Sequence, residues 1–136
     1  MQTSENGLKF IASNEGFTAV PIGDFGHQCI GHGHDILSGE SFPDPITEDQ
    51  AWTLLLSDVA KVDAAMKTAA EAGLNQNQWD AIADFTFECG AEALVQLLAH
   101  GVDQITAQLP RWVHAGGNVL PGMVARRAKD VALFNS

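Results

Sequence analysis

Between Gly16 and Pro45 the chain cannot form one continuous helix. Gly16, Gly23, Gly26, Gly31, Gly33 and Gly39 each weaken a helix, and Pro21, Pro43 and Pro45 each remove a backbone donor. In residues 17–34 these breakers interleave with Phe25, Cys29 and Ile30, which reads as short strands and tight turns in a small hairpin or meander. A polar loop from about Asp35 to Pro45 follows. On both sides of this stretch the pattern is helical, so a small β element must dock beside helices.

The helical parts carry explicit start and stop signals. Ser4 is an N-cap for a first helix through about Asn14, with Leu8 and Ile11 on one face and Gly16 as the stop. Glu15 lies seven residues after Leu8. At 100° per residue it emerges on that apolar face, at the helix's C-terminal end. Thr47-Glu48-Asp49-Gln50 is a capping box opening a long helix, whose period is held by Trp52, Leu55, Leu56, Val59, Val62 and Met66 until Gly73. Asn75 with Gln78 is a second box, and Leu74 with Trp79 fits a hydrophobic staple, launching a helix toward Cys89-Gly90. A helix from about Ala91 to His100 is closed by Gly101, and Ile105 and Leu109 predict a short helix before Pro110. Pro121 then opens an amphipathic segment through Val124, Ala128, Val131 and Phe134. The expected fold class is α+β, mostly helical, with a cleft between hairpin and helices.

Composition narrows the functions. A length of 136 residues with 46% hydrophobic content is enough for one core, and no apolar run reaches the roughly 18 residues of a membrane span. Seventeen Asp+Glu against seven Lys+Arg leave a formal charge of −10, which argues against nucleic-acid and membrane-surface partners. Cys29 and Cys89 are too few for a disulfide scaffold, and Met1–Asn6 lacks a secretory n-region and h-region. The expectation is a cytoplasmic product, a monomer with no cofactor, that needs separate release to act elsewhere.

Two constellations in residues 15–35 could carry chemistry. Glu15 and Asp24 place one carboxylate at a helix end and another in the adjoining turn, the pair glycoside hydrolysis needs: one acid protonated to donate to the leaving oxygen, one ionised to activate water. The apolar face and the negative end of the helix both disfavour charge on Glu15, whereas a glycine-rich turn favours it on Asp24. The same two residues also read as a frayed helix end and a solvated turn. The second constellation, His27-x-Cys29-x-x-His32-x-His34, offers four possible metal ligands in eight residues. Its spacing is not that of a zinc finger or ribbon, and it reads equally as one buried, hydrogen-bonded histidine with two at the surface.

The segments Asn14-Glu15-Gly16-Phe17, Cys29-Ile30-Gly31-His32-Gly33-His34, Leu74 to Ala81, Phe85 to Gly90 and Arg111 to Gly122 occur in an order that resembles the phage-type lysozymes, the T4-lysozyme-like endolysins of glycoside hydrolase family 24. The resemblance extends from Ser4 to about Phe134. It implies one lysozyme-like domain over residues 1–136, with a small lobe at about 15–46, an inter-lobe helix at about 47–72, and a helical lobe at about 73–136 that includes the first helix. It also implies a muramidase cleaving the β-1,4 bond between N-acetylmuramic acid and N-acetylglucosamine of bacterial peptidoglycan, with inversion, and holin-type release from the host cytoplasm.

Carried onto this sequence, the resemblance makes Glu15 the general acid and Asp24 the second carboxylate, and puts Cys29 where the family has a water-positioning threonine. His34 and Asp58 match a buried histidine–aspartate pair, Phe87 a cleft-wall residue, and Arg126 and Arg127 a basic run read as solvated or ion-paired. This sequence has four residues between Asp24 and Cys29 where the family commonly has five, and cysteine is a weaker hydrogen-bonding group than threonine. Two other readings follow: a cell-wall glycan binder without hydrolysis, and a metal-binding module built on His27, Cys29, His32 and His34.

Overall fold

The computed structural model describes residues 1–24, 26–67 and 73–136. Helix α1 spans Glu5–Glu15, and the Ser4 hydroxyl caps it by accepting the Gly7 amide. Strands β1 (Thr18–Asp24), β2 (His27–Gly31) and β3 (His34–Asp35) form an antiparallel sheet in chain order. Helix α2 (Glu48–Ala65) and helix α3 (Gln76–Cys89) both open with complete capping boxes, at Thr47/Gln50 and Asn75/Gln78. Helix α4 (Ala91–Leu98) and a short α5 (Ile105–Gln108) follow, then a hairpin of β4 (His114–Ala115) and β5 (Asn118–Val119), and helix α6 (Pro121–Phe134).

Two hydrophobic clusters organise these elements. The larger joins Ile11 of α1, Leu55, Val59 and Met66 around α2, Trp79, Ile82 and Phe85 of α3, and Leu94, Leu97, Ile105, Leu109 and Phe134. The smaller holds Ile30, Ile46 and Ala51, with Ile36, Phe42 and Leu54 against it. Helix α2 feeds both, because Ala51 and Leu54 near its start face the sheet while Leu55 and Val59 face α3. Leu74 and Trp79 are both buried, as the staple requires. The start of α1 is tied down separately: Asp63 accepts from the Thr3 amide, the Thr3 hydroxyl and the Trp79 indole, and Asp80 accepts from the Ser4 amide and hydroxyl.

Several sequence expectations need correction. Helix α2 is α-helical to Ala65, where the Met66 amide reaches Ala64 and Val62 and tightens the last turn; the end expected near 72 lies outside the described residues. Leu56 is exposed, and α4 stops at Leu98. Pro110 sits within a 3-10 turn, Leu109–Arg111, rather than after the short helix. The hairpin at 114–119 was not foreseen: Gly116 and Gly117 both take positive φ, at 58° and 81°, which a two-residue primed turn demands. Helix α6 departs most. Val124 and Ala128 face solvent, and its buried stripe is Arg126, Arg127, Asp130 and Phe134, because buried carboxylates on α3 supply partners for the arginines.

Candidate active site

Glu15 is the last residue of α1, and its position is fixed from three directions. Gly16 ends the helix by donating its amide to Ala12, while its own carbonyl is 2.6 Å from His32 Nδ1, linking the helix end to the β2–β3 turn. The His32 ring is itself seated between Phe17 and Trp52. Gly33 in the same turn has φ 74°, and a Cβ there would lie 2.5 Å from Glu15 Oε2, so only glycine lets the turn close on the carboxylate. From the other side Arg126 Nη1 donates to Glu15 Oε1 at 2.8 Å.

That arginine is the principal feature the sequence reading did not supply. Arg126 Nε and Nη2 bind Asp84 Oδ2 and Oδ1 at 3.0 and 2.8 Å, and Nη1 also donates to Glu88 Oε2 at 2.8 Å. Burial opposes the charge, yet Asp84's hydrogen bonds and charge, followed by Glu15, outweigh it and hold the guanidinium protonated. Arg127, fully buried, reaches Asp130 through Nε at 2.8 Å and Glu88 Oε1 through Nη1 at 2.9 Å. Burial, then hydrogen bonding to and the charge of Asp84, push the Asp130 carboxyl up to about 9, so it is neutral at pH 7. The arginine run is therefore ion-paired but not solvated. The apolar face and the helix end are not all that acts on Glu15, since a buried cation touches the carboxylate. The sequence signal was Asp84 and Glu88, four apart on α3, opposite Arg126, Arg127 and Asp130.

Strand register places the other candidates. Asp24 pairs with His27, Ile22 with Cys29, and Cys29 with Asp35, so these side chains share one face of the sheet. Asp24 and His27 are exposed and Cys29 is half-buried on that face. Burial pushes the Cys29 thiol up, and the charges of Asp35 and Glu15 add to this, so the thiol is neutral and is not a thiolate nucleophile. Glu15 and Cys29 are thus brought together, with Asp24 further along the same face. Of the four residues between Asp24 and Cys29, His27 and Gln28 already belong to β2, with His27 paired to Asp24 and Gln28 to Gly23.

The opposite face carries Ile30 and His34, both buried against α2. His34 Nδ1 is 2.8 Å from Asp58 Oδ2, and Nε2 is 3.0 Å from Glu40 Oε1, whose oxygen also accepts the Leu37 amide. The expected His34–Asp58 pair is present, with Glu40 as a third member that the sequence did not reveal. The metal-module reading fails on this geometry. His34 faces away from His27 and Cys29 with both ring nitrogens engaged, His32 is turned to Gly16, and among the described residues no three His, Cys, Asp or Glu side chains gather to hold an ion.

Phe87, near the end of α3, packs against the main core and lines a cavity of about 240 Å³ with Gly33, His34, Asp58 and Lys61, so it is both core and wall. Two larger hollows, of about 620 and 500 Å³, meet at Glu88 and Met123. Trp112 meets Phe85 edge-on at 5.4 Å and packs against the main core.

Comparison with known proteins adds to this geometry. The family model described as phage lysozyme matches residues 12–130. The endolysin of Bacillus phage PZA is 36% identical over 147 residues, an alignment covering all of this chain and 56% of that protein. The endolysin of Acyrthosiphon pisum secondary endosymbiont phage 1 is 32% identical over 154 residues, covering 100% and 99%. Among solved structures, the muramidase domain of SpmX from Asticaccaulis excentricus aligns with a TM-score of 0.84 at 27% identity, covering 99% of this chain and 98% of that one. The chain spans about half the length of the phage PZA protein. The helical bundle with a small sheet is thus a lysozyme-like α+β fold.

Proposed function

The chain belongs to the phage lysozyme family, and from that premise we propose that it is a peptidoglycan hydrolase, a muramidase cleaving the β-1,4 bond between N-acetylmuramic acid and N-acetylglucosamine. One observation carries the reading: Glu15 is held at the end of α1 by Arg126 and Gly33, opposite the sheet face bearing Cys29 and Asp24. Glu15 donates its proton to the glycosidic oxygen as the C1–O bond breaks. Arg126 Nη1 then faces the carboxylate left behind, a donor already in place where negative charge develops.

Positive charge on the sugar is met by Asp24, which takes a proton from the water attacking C1 on the opposite face, so the anomeric configuration inverts. Cys29 lies beside that path and offers the water only a weak donor and acceptor. His27, directly across from Asp24, and Asp35, directly across from Cys29, are the stronger hydrogen-bonding groups that the register puts on that face. The reaction needs no cofactor. The reading includes a monomeric enzyme that accumulates in the host bacterial cytoplasm and reaches the wall by a holin-type route.

Digestion of purified peptidoglycan with identification of new chain ends tests the reaction. Reducing N-acetylmuramic acid ends are expected; 1,6-anhydro ends would mean transglycosylase chemistry, and binding without released muropeptides would favour the glycan-binder reading. Glu15→Gln should abolish release while leaving the melting transition in place, and retained activity would remove Glu15 as the acid.

A further inference from the structure

A general acid that touches a buried arginine faces a conflict. The guanidinium favours the carboxylate produced by proton donation, but it equally favours losing the proton before any substrate arrives. Around Glu15 the charged and titratable groups are Arg126 from α6, Glu88 from α3 on the same Nη1 of that arginine, Cys29 from β2 with Asp35 from β3 paired to it, and His32 from the β2–β3 turn at the adjoining Gly16 carbonyl. Behind Arg126 lie Asp84, Arg127 and the protonated Asp130. Glu88 differs from all of them. It takes one Nη1 hydrogen of Arg126 at the same 2.8 Å as Glu15, and with its other oxygen it meets Arg127 Nη1 at 2.9 Å.

We infer that Glu88 is a positioning residue for the general-acid step: it fixes the Arg126 guanidinium between two carboxylates and offsets the positive charge that Glu15 faces, so that Glu15 can hold its proton at neutral pH. The inference rests on Glu15 being the acid. The two contacts share one nitrogen, so they are not interchangeable with the Asp84 contacts, which use Nε and Nη2 and anchor the other edge of the plane. Asp84 also lies near both arginines, 3.8 Å from Arg127 Nη2, but its side chain is fully buried, whereas Glu88 meets both at 2.8 and 2.9 Å from the hollow's rim with about a fifth of its side chain exposed.

Glu88→Gln keeps the size and one acceptor but removes the charge. Arg126 is then less balanced, Glu15 loses its proton at lower pH, and the alkaline limb of the muropeptide-release profile moves toward acid by about half to one pH unit, the size of a single close but partly screened charge interaction. Activity on the acid side of the optimum stays within a few-fold of the parent, and Glu88→Asp, which keeps the charge, leaves the limb nearer the parent position. An unmoved limb in Glu88→Gln, or one moved toward alkali, overturns the inference. If Glu88→Gln does not fold, the intact protein decides. With ¹³C-labelled glutamate, the Glu15 carboxyl signal should show a second inflection where Glu88 titrates, and independent single-step curves would refute the coupling. Should the parent release no muropeptides, the proposed reaction fails while the ¹³C measurement still judges the charge coupling.

Discussion

Replacing Asp58 with Asn gives the most quantitative check on the electrostatics that hold the sheet to α2. The His34 side chain is 8% exposed and that of Asp58 18%, with 2.8 Å between Nδ1 and Oδ2. Burial by itself would lower the His34 pKa, but the hydrogen bonds its ring donates to Asp58 and Glu40, with the charges of those carboxylates, overcome it and raise it above 6.5. Glu40 is lowered from 4.5, first by the Leu37 amide and then by His34. The signs define a window. A histidine whose folded pKa is raised contributes fully below its unfolded value and loses that contribution as pH rises through the folded one; a lowered carboxyl contributes above its unfolded value and loses it as pH falls. The clamp is therefore strongest between about pH 4.5 and 6.5. Breaking a fully buried pair costs roughly 3–5 kcal/mol, and the partial exposure of Asp58 reduces this to about 2–3 kcal/mol. With an unfolding entropy near 2.1 cal/mol/K per residue, each kcal/mol is worth roughly 3–4 °C in a chain of this size. Thermal melts at pH 5.5 should show Asp58→Asn lower by about 7–10 °C, a gap that narrows by pH 9–10 as His34 loses its proton. A loss under about 2 °C at pH 5.5, or one equal at both pH values, would refute the charge argument.

Three other outcomes follow from the site. Gly33→Ala should lower turnover by at least about tenfold, because the added Cβ strikes Glu15 and the positive φ costs about 1–2 kcal/mol; parent activity in a folded variant would show that the turn can yield. Cys29→Thr should raise turnover on cell walls by restoring a hydroxyl beside the water's path, and a fall would mean that the shortened Asp24–Cys29 connection has been matched to sulfur. Asp130, whose folded pKa is raised to about 9 by burial and then Asp84, binds a proton in the fold that the unfolded chain releases above 3.8. Its contribution to stability therefore declines as pH rises between those values, and Asp130→Asn should gain on the parent across that range in urea midpoints. Parallel pH profiles for the two proteins would contradict the assignment.

What could be read in advance was local. Thr47 with Gln50 and Asn75 with Gln78 announce their helices because the capping partners are three residues apart, and Pro121 fits the first helical position for a similarly short-range reason. The hairpin at 114–119 was missed although Gly116-Gly117 suits a primed turn, because its strands are too short to show alternation. Arg126 and Arg127 were not legible either. Their partners on α3 lie about forty residues away in sequence, and a charged stripe on an amphipathic helix reads as its solvent face until the opposing acids are known to be buried. Glu40 escaped for a related reason: a loop glutamate gains meaning only once the loop folds back onto His34.

The contact between Glu15 and Arg126 spans 111 positions of sequence. During synthesis the helix bearing the acid therefore leaves the ribosome well ahead of its guanidinium partner. Thr3 and Ser4, which seat that helix, must likewise wait for Asp63 and Asp80. A nascent chain, or one truncated before α6, carries the Glu15 side chain without its guanidinium partner, so on this geometry the setting of the carboxylate is complete only once α6 has been made.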